Sequence, residues 1–116
     1  MATQQSLPRS EWKGFFDRMS KGLLGKWAEI EVASLEVGDQ IAAEWVPLLG
    51  ITYEPGSDAL DVALDRLNHR IRAPKEIVVE ENQAGLASVD VLDGDGTRQI
   101  IRLKDPLMLP PPHVRT

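Results

Sequence analysis

Short apolar runs among polar positions recur at Glu76-Ile-Val-Val-Glu-Glu81, Ala87-Ser-Val-Asp-Val-Leu92 and Thr97-Arg-Gln-Ile-Ile-Arg-Leu103. These runs are rich in β-branched residues. Asn82-Gln-Ala-Gly85 and Asp93-Gly-Asp-Gly96 separate them, and both segments have turn composition. Strand, turn, strand, turn, strand follows, with antiparallel neighbours. Near the start of the chain the period is different. Trp12, Phe15, Phe16 and Met19 fall at offsets of three, four and seven, which places them on one helical face. Ser10 suits the N-cap of this helix, and Lys21 with Gly22 suits its end. Gly14 inside it costs about 1 kcal/mol relative to alanine, which packing of the aromatic stripe has to offset.

From Lys26 the period returns to two. Ala28, Ile30 and Val32 share one face, with glutamates on the other. Glu36-Val-Gly-Asp39 reads as a turn. Gln40 to Leu48 reads as a second strand, with Pro47 near its end, where a missing donor is tolerable. Gly50 to Glu54 reads as a short third strand, closed by a turn at Pro55-Gly56. Asp58 to Asp65 fits two periods. Leu60, Val62 and Leu64 alternate, whereas Leu60, Leu64, Leu67 and Ile71 fit helical offsets. The preceding turn and the neighbouring strands favour a strand. Arg66-Leu-Asn68 is then a tight connection, and His69 to Arg72 a return strand ending at Ala73-Pro74.

Residues 1–9 read as a loose polar tail. Residues 106–116 read as an extended Pro-rich tail, polyproline-like at Pro110 to Pro112. The expected architecture is a single α+β domain over 1–116. An N-terminal helix packs on a curved, mainly antiparallel sheet of about seven or eight short strands, with a small barrel as its closed form.

Composition narrows the function classes. The 116 residues contain no cysteine, which removes disulfides, thiolate metal sites and cysteine nucleophiles. Acidic residues outnumber basic ones, 18 to 13, for a net charge of −5. That balance argues against nucleic acid and against an anionic membrane surface as partners. No apolar run approaches the roughly 20 residues that span a bilayer. Met1-Ala-Thr-Gln-Gln-Ser lacks the basic start and apolar stretch of a secretory signal, so the cytoplasm is the expected location.

Several residues invite a chemical reading. Asp93-Gly-Asp-Gly96 begins like a calcium loop, but the fifth, sixth and twelfth positions are Thr97, Arg98 and Lys104, and the pattern fails where it needs charge. A hairpin turn accounts for it. Asp58, Asp61, Asp65 and His69, at spacings of three, four and four, would line one face of a helix and could hold a metal there. On a strand they become a solvated edge. His69 with Asp61 or Asp65 is the one candidate for acid–base or metal-assisted chemistry. Ser57, Ser88 and Thr97 lack the surroundings of a nucleophile elbow. Gly22-Leu-Leu-Gly-Lys26 is too short between its glycines for a phosphate loop, and Trp27 stands where a hydroxyl is needed.

Longer stretches carry a resemblance: Glu11-Trp-Lys-Gly-Phe-Phe16, Ala28-Glu-Ile-Glu-Val-Ala-Ser34, Gly38-Asp-Gln-Ile-Ala-Ala-Glu-Trp45, Leu48-Leu-Gly-Ile-Thr-Tyr53, Asn68-His-Arg-Ile71 before Pro74, and Asp95-Gly-Thr-Arg-Gln-Ile100 leading to Asp105-Pro-Leu-Met-Leu-Pro110. Together, from about Ser10 to Pro110, the chain resembles a small bacterial family of uncharacterised proteins, one of the domains of unknown function. The resemblance implies a stand-alone bacterial cytoplasmic protein and supplies no catalytic residue. No catalytic, metal or cofactor site is expected. Trp12, Phe15, Phe16, Trp27 and Trp45 all precede position 46, and Leu107, Met108 and Leu109 sit among prolines. These apolar groups point to a non-catalytic binding module that self-associates, with a small His/Asp or metal-assisted enzyme as the alternative.

Overall fold

The computed structural model describes residues 3–34, 36, 38–83 and 85–105. In chain order the elements are β1 (Thr3–Leu7), a 3-10 turn (Arg9–Glu11), α1 (Trp12–Leu23), β2 (Trp27–Ser34), β3 (Gly38–Glu54), β4 (Ala59–Leu64), β5 (Leu67–Arg72), β6 (Glu76–Asn82), β7 (Gly85–Leu92) and β8 (Arg98–Lys104). The strands form one antiparallel sheet in the order β1-β6-β7-β8-β2-β3-β4-β5. With α1 this is an α+β fold. The sheet is not closed into a barrel: β1 and β5 remain its two edges.

The strands expected between Glu76 and Leu103 are present as β6, β7 and β8, because each is joined to the next by a local hairpin. The ambiguous run is strand β4. Its alternation buries Leu60, Val62 and Leu64, and β5 returns beside it with Ile71 opposite Leu60. Within Gly22 to Lys26 the helix ends and Leu24 to Lys26 connect it to β2, with the positive φ at Gly25.

Four local readings differ from the structure. The opening tail contains a strand, since Thr3 to Leu7 pair with Glu81 to Ile77 on β6. One buried apolar residue in five, Leu7, is too little alternation to mark it in sequence. Ser10 is not the N-cap. It lies in the 3-10 turn, Glu11 occupies the cap, and no side chain bonds there. The helix runs one residue past Gly22, to the buried Leu23, whose packing outweighs the glycine. Finally, the second and third strands are one strand of 17 residues, β3.

β3 is long because it turns a corner. Its first part pairs with β2 and its last part with β4. Extra residues interrupt its register between Ile41 and Ala43, between Ala43 and Val46, and between Leu48 and Gly50. Each such bulge bends the strand and increases its twist. Trp45 sits in the second with φ +46°, a left-handed conformation unusual for a large side chain. Pro47 falls at the same corner. Its carbonyl accepts the Asp65 amide at 3.0 Å, and Leu48 N bonds to Lys26 O at 2.8 Å.

The bend folds the sheet over α1. Trp12, Phe15, Phe16 and Leu23 are buried, and α1 packs chiefly on β3. Trp12 meets Tyr53 edge to face at 5.2 Å, and its indole N–H donates to Leu7 O at 2.9 Å. Inner residues of all the central strands complete one core, including Ile30, Ile51, Val79, Val89 and Ile101. At the open mouth the β7–β8 hairpin touches the β5–β6 connection. A Cβ added to Gly94 would lie 2.9 Å from Ala73 Cβ and 3.2 Å from Ala73 O. Gly94→Ala is expected to cost about 1–3 kcal/mol, as other overpacked contacts do. A urea unfolding curve checks this, and an unchanged midpoint would mean that the hairpin and connection are not in contact.

Candidate functional site

His69 lies opposite Val62 on β5, and directly opposed residues share a face. Val62 is fully buried, so the imidazole faces inward. Asp61 lies opposite Arg70 on the other face and forms an ion pair with it at 3.0 Å. Asp65 is exposed in the β4–β5 turn. The structure therefore separates His69 from both carboxylates considered as its partners. Among the described residues, no group of three or more His, Asp or Glu side chains is placed to hold a metal ion.

His69 instead meets Gln99 on β8, with Nε2 2.6 Å from Gln99 Oε1. Gln99 Nε2 donates to Asp93 Oδ2 at 2.9 Å. Asp93 Oδ1 accepts from the Asp95 and Thr97 amides at 2.9 and 3.0 Å. The carboxylate accepts only, so the Gln99 NH2 faces Asp93 and its oxygen faces His69. The His69 proton is then on Nε2, donated to Gln99. Four strand spacings separate β5 from β8 in the sheet, about 19 Å if it were flat. The bond exists because the sheet curls, and it ties the curl together. The Asp93-Gly-Asp-Gly96 segment is the hairpin turn expected, closed by Asp93 N to Thr97 O and Gly96 N to Asp93 O.

A second cluster joins the start of the helix to the β3–β4 end. Tyr53 OH donates to Asp58 Oδ1 at 2.6 Å, and Arg9 Nη1 donates to the same oxygen at 3.0 Å and to Tyr53 OH at 3.2 Å. Arg9 Nη2 donates to Pro74 O at 2.8 Å, and its guanidinium lies over Trp12 at 4.5 Å. The tyrosine hydrogen bond, then Arg9, holds the Asp58 carboxyl below its ordinary pKa. A depressed carboxylate stabilises the fold above its unfolded pKa and stops doing so as pH falls through the folded value. The contribution of Asp58 is thus complete above an ordinary value near 3.8 and is lost below it. Tyr53→Phe and Arg9→Ala are each expected to raise the Asp58 pKa. Carboxyl 13C NMR titration reads this directly, and no movement in either variant would show that neither side chain touches the Asp58 carboxylate.

On the outer face, Arg102 Nη1 bridges Glu29 at 3.2 Å and Glu31 at 2.8 Å. A hydrogen bond from Asp39, and then Arg102, lowers the Glu31 pKa, while the same bond and the Glu31 charge raise that of Asp39. Lys104 Nζ lies over the Trp45 ring at 4.8 Å. A surface depression of about 300 Å³ opens here, lined by Lys26, Glu80, Ser88, Arg102, Lys104 and Asp105 among others. Lys26 is paired with Asp105 at 3.3 Å. Of the remaining hydroxyls, Ser57 accepts from Arg70 at 3.1 Å, and Thr97 belongs to the Asp93 turn. Leu107, Met108 and Leu109 lie outside the described residues.

The two edges of the sheet differ in charge. β5 carries His69, Arg70 and Arg72, whereas β1, Thr-Gln-Gln-Ser-Leu, carries no charge and exposes its first four residues. No described helix is long and apolar enough to cross a membrane.

Sequence reasoning missed Gln99 and Asp93 as partners of His69. One signal was available: Gln99 is in phase with the apolar Ile101 and Leu103, which makes it an inward polar residue in need of a partner.

The chain is 39% identical to an "Uncharacterized protein" of the bacterium Aquifex aeolicus over 111 residues, covering 95% of this chain and 99% of that one. No solved structure matches the chain significantly. A family model described as a family of unknown function matches residues 3–112, and the protein belongs to that family, DUF5335.

Proposed function

We propose that this protein is a non-catalytic bacterial interaction module, working in the cytoplasm by self-association. The observation that carries the reading is the open sheet: eight strands curl around a helix without closing, so two strand edges remain for pairing. An unpaired edge presents a row of N–H and C=O groups that another strand can satisfy. The use of the polar side chains supports the same reading. His69, Gln99 and Asp93 brace the curl, Asp61 is paired with Arg70, and Arg9, Tyr53 and Asp58 lock the helix to the β3–β4 end.

Light scattering and sedimentation over a wide concentration range test the proposal. The expected result is a mass that rises from one chain toward two or more. A single-chain mass at every concentration would remove self-association.

A further inference from the structure

We infer that the partner is a second copy of this chain, joined through β1 to β1 in antiparallel register about a two-fold axis. The inference rests on the self-association proposed above and assigns it a seam. β1 pairs only with β6, so its far side carries no strand among the described residues. Thr3, Gln4, Gln5 and Ser6 are exposed, and none is charged. Natural sheets commonly guard their edges with charge. β5 is guarded in this way by Arg70 and Arg72, and β1 is not.

Charge and symmetry choose the occupant. Pairing β5 with β5 would set arginines against arginines. Pairing β1 with β5 is head-to-tail, keeps an unused β1 at one end and an unused β5 at the other, and so grows into a filament unless it closes as a ring. Pairing β1 with β1 uses the same surface on both copies and closes at two. The chain carries a net charge of −5, so two copies repel unless the seam is neutral. Glu80 and Glu81 lie on β6, opposite Gln4 and Thr3. Across the seam they stand at least three strand spacings from their counterparts, about 14 Å or more, beyond a screening length of about 8 Å at physiological salt. With the axis at Gln5, Gln4 faces the partner's Ser6, and the two eight-stranded sheets become one.

Charged β1 variants test the seam in the full-length chain by sedimentation equilibrium. Gln4→Lys with Ser6→Lys, and separately Gln4→Glu with Ser6→Glu, place like charges opposite each other. Each double variant is expected to dissociate at least tenfold more readily than wild type. Mixing the two is expected to restore a dimer containing one of each. Both positions are exposed, and circular dichroism checks that each variant remains folded. Wild-type association that neither variant weakens overturns the β1 seam and leaves self-association standing. Weakening in both without recovery on mixing also overturns it, because the charges would then act indirectly. A wild type that stays monomeric overturns the seam and the parent proposal together. Hydrogen exchange at Gln4 to Leu7 that slows with an added unrelated extended peptide, and not with protein concentration, assigns the edge to a foreign strand and overturns the inference as well.

Discussion

Phe16→Ala is expected to lower the unfolding free energy by about 3–5 kcal/mol, the usual cost of removing a buried phenylalanine. Phe16 has no exposed surface. Its ring meets Phe15 edge to face at 5.2 Å, a geometry that adds about 0.5–1.5 kcal/mol beyond area burial. It stands in the middle of the only α-helix among the described residues, where no polar network compensates for a cavity. A domain of this size has roughly 5–15 kcal/mol in total, so the variant would sit close to unfolding. The midpoint in urea is expected to fall while the denaturant slope stays constant, which separates lost packing from a changed unfolded state. Phe16→Leu keeps most of the volume and is expected to cost less than half as much. A loss below about 1 kcal/mol for alanine, against the usual range for buried aromatics, would mean that α1 does not cover the sheet.

Asp93→Ala is expected to cost about 3 kcal/mol, for a different reason. The carboxylate accepts from Asp95 N, Thr97 N and Gln99 Nε2, and Asp93 and Gln99 are both buried. Removing it strands donors, and each stranded buried group costs about 1–3 kcal/mol. The loss reaches His69 through Gln99 and loosens the tie between β5 and β8. Asp93→Asn separates the turn from the relay. Asparagine keeps an oxygen for the two amides and offers an NH2 group where the carboxylate accepted. The Gln99 amide is then expected to turn over, present its own NH2 group to His69, and move the imidazole proton from Nε2 to Nδ1. Nitrogen-15 NMR of His69 distinguishes the two tautomers. An unmoved proton in Asp93→Asn would show that Gln99 does not transmit the change.

Much of the architecture could be read from local pattern, and the exceptions share a cause. β6, β7 and β8 are legible because each is a short β-branched run joined to the next by a hairpin whose composition is local. The run at β4 fits two periods, and the turn before it decides between them. β3 misleads because Pro47 and Gly50 normally punctuate chains, whereas here they sit at the corner of a bent strand. β1 is polar and short; only its pairing with β6, residue to residue 70 to 78 positions away in sequence, makes it a strand. The reading of the side-chain chemistry divides in the same way. The Asp93 turn is local and visible, while the meeting of His69 with Gln99 depends on the curl. The Arg9 contacts with Tyr53, Asp58 and Pro74 likewise join segments that no sequence period relates.

The pairing of β1 with β6 also sets the order in which the molecule can be finished. Residues 3–7 leave the ribosome well before β6 and have no strand to join until Glu76–Asn82 follow. β2 waits over a comparable stretch of chain for one of its two neighbours, β8, the last strand described. Translation adds about 5–20 residues per second, so the opening segment spends several seconds without its neighbour on each nascent chain. During that interval its backbone N–H and C=O groups stay open to any other unpaired strand nearby, newborn copies on the same messenger among them.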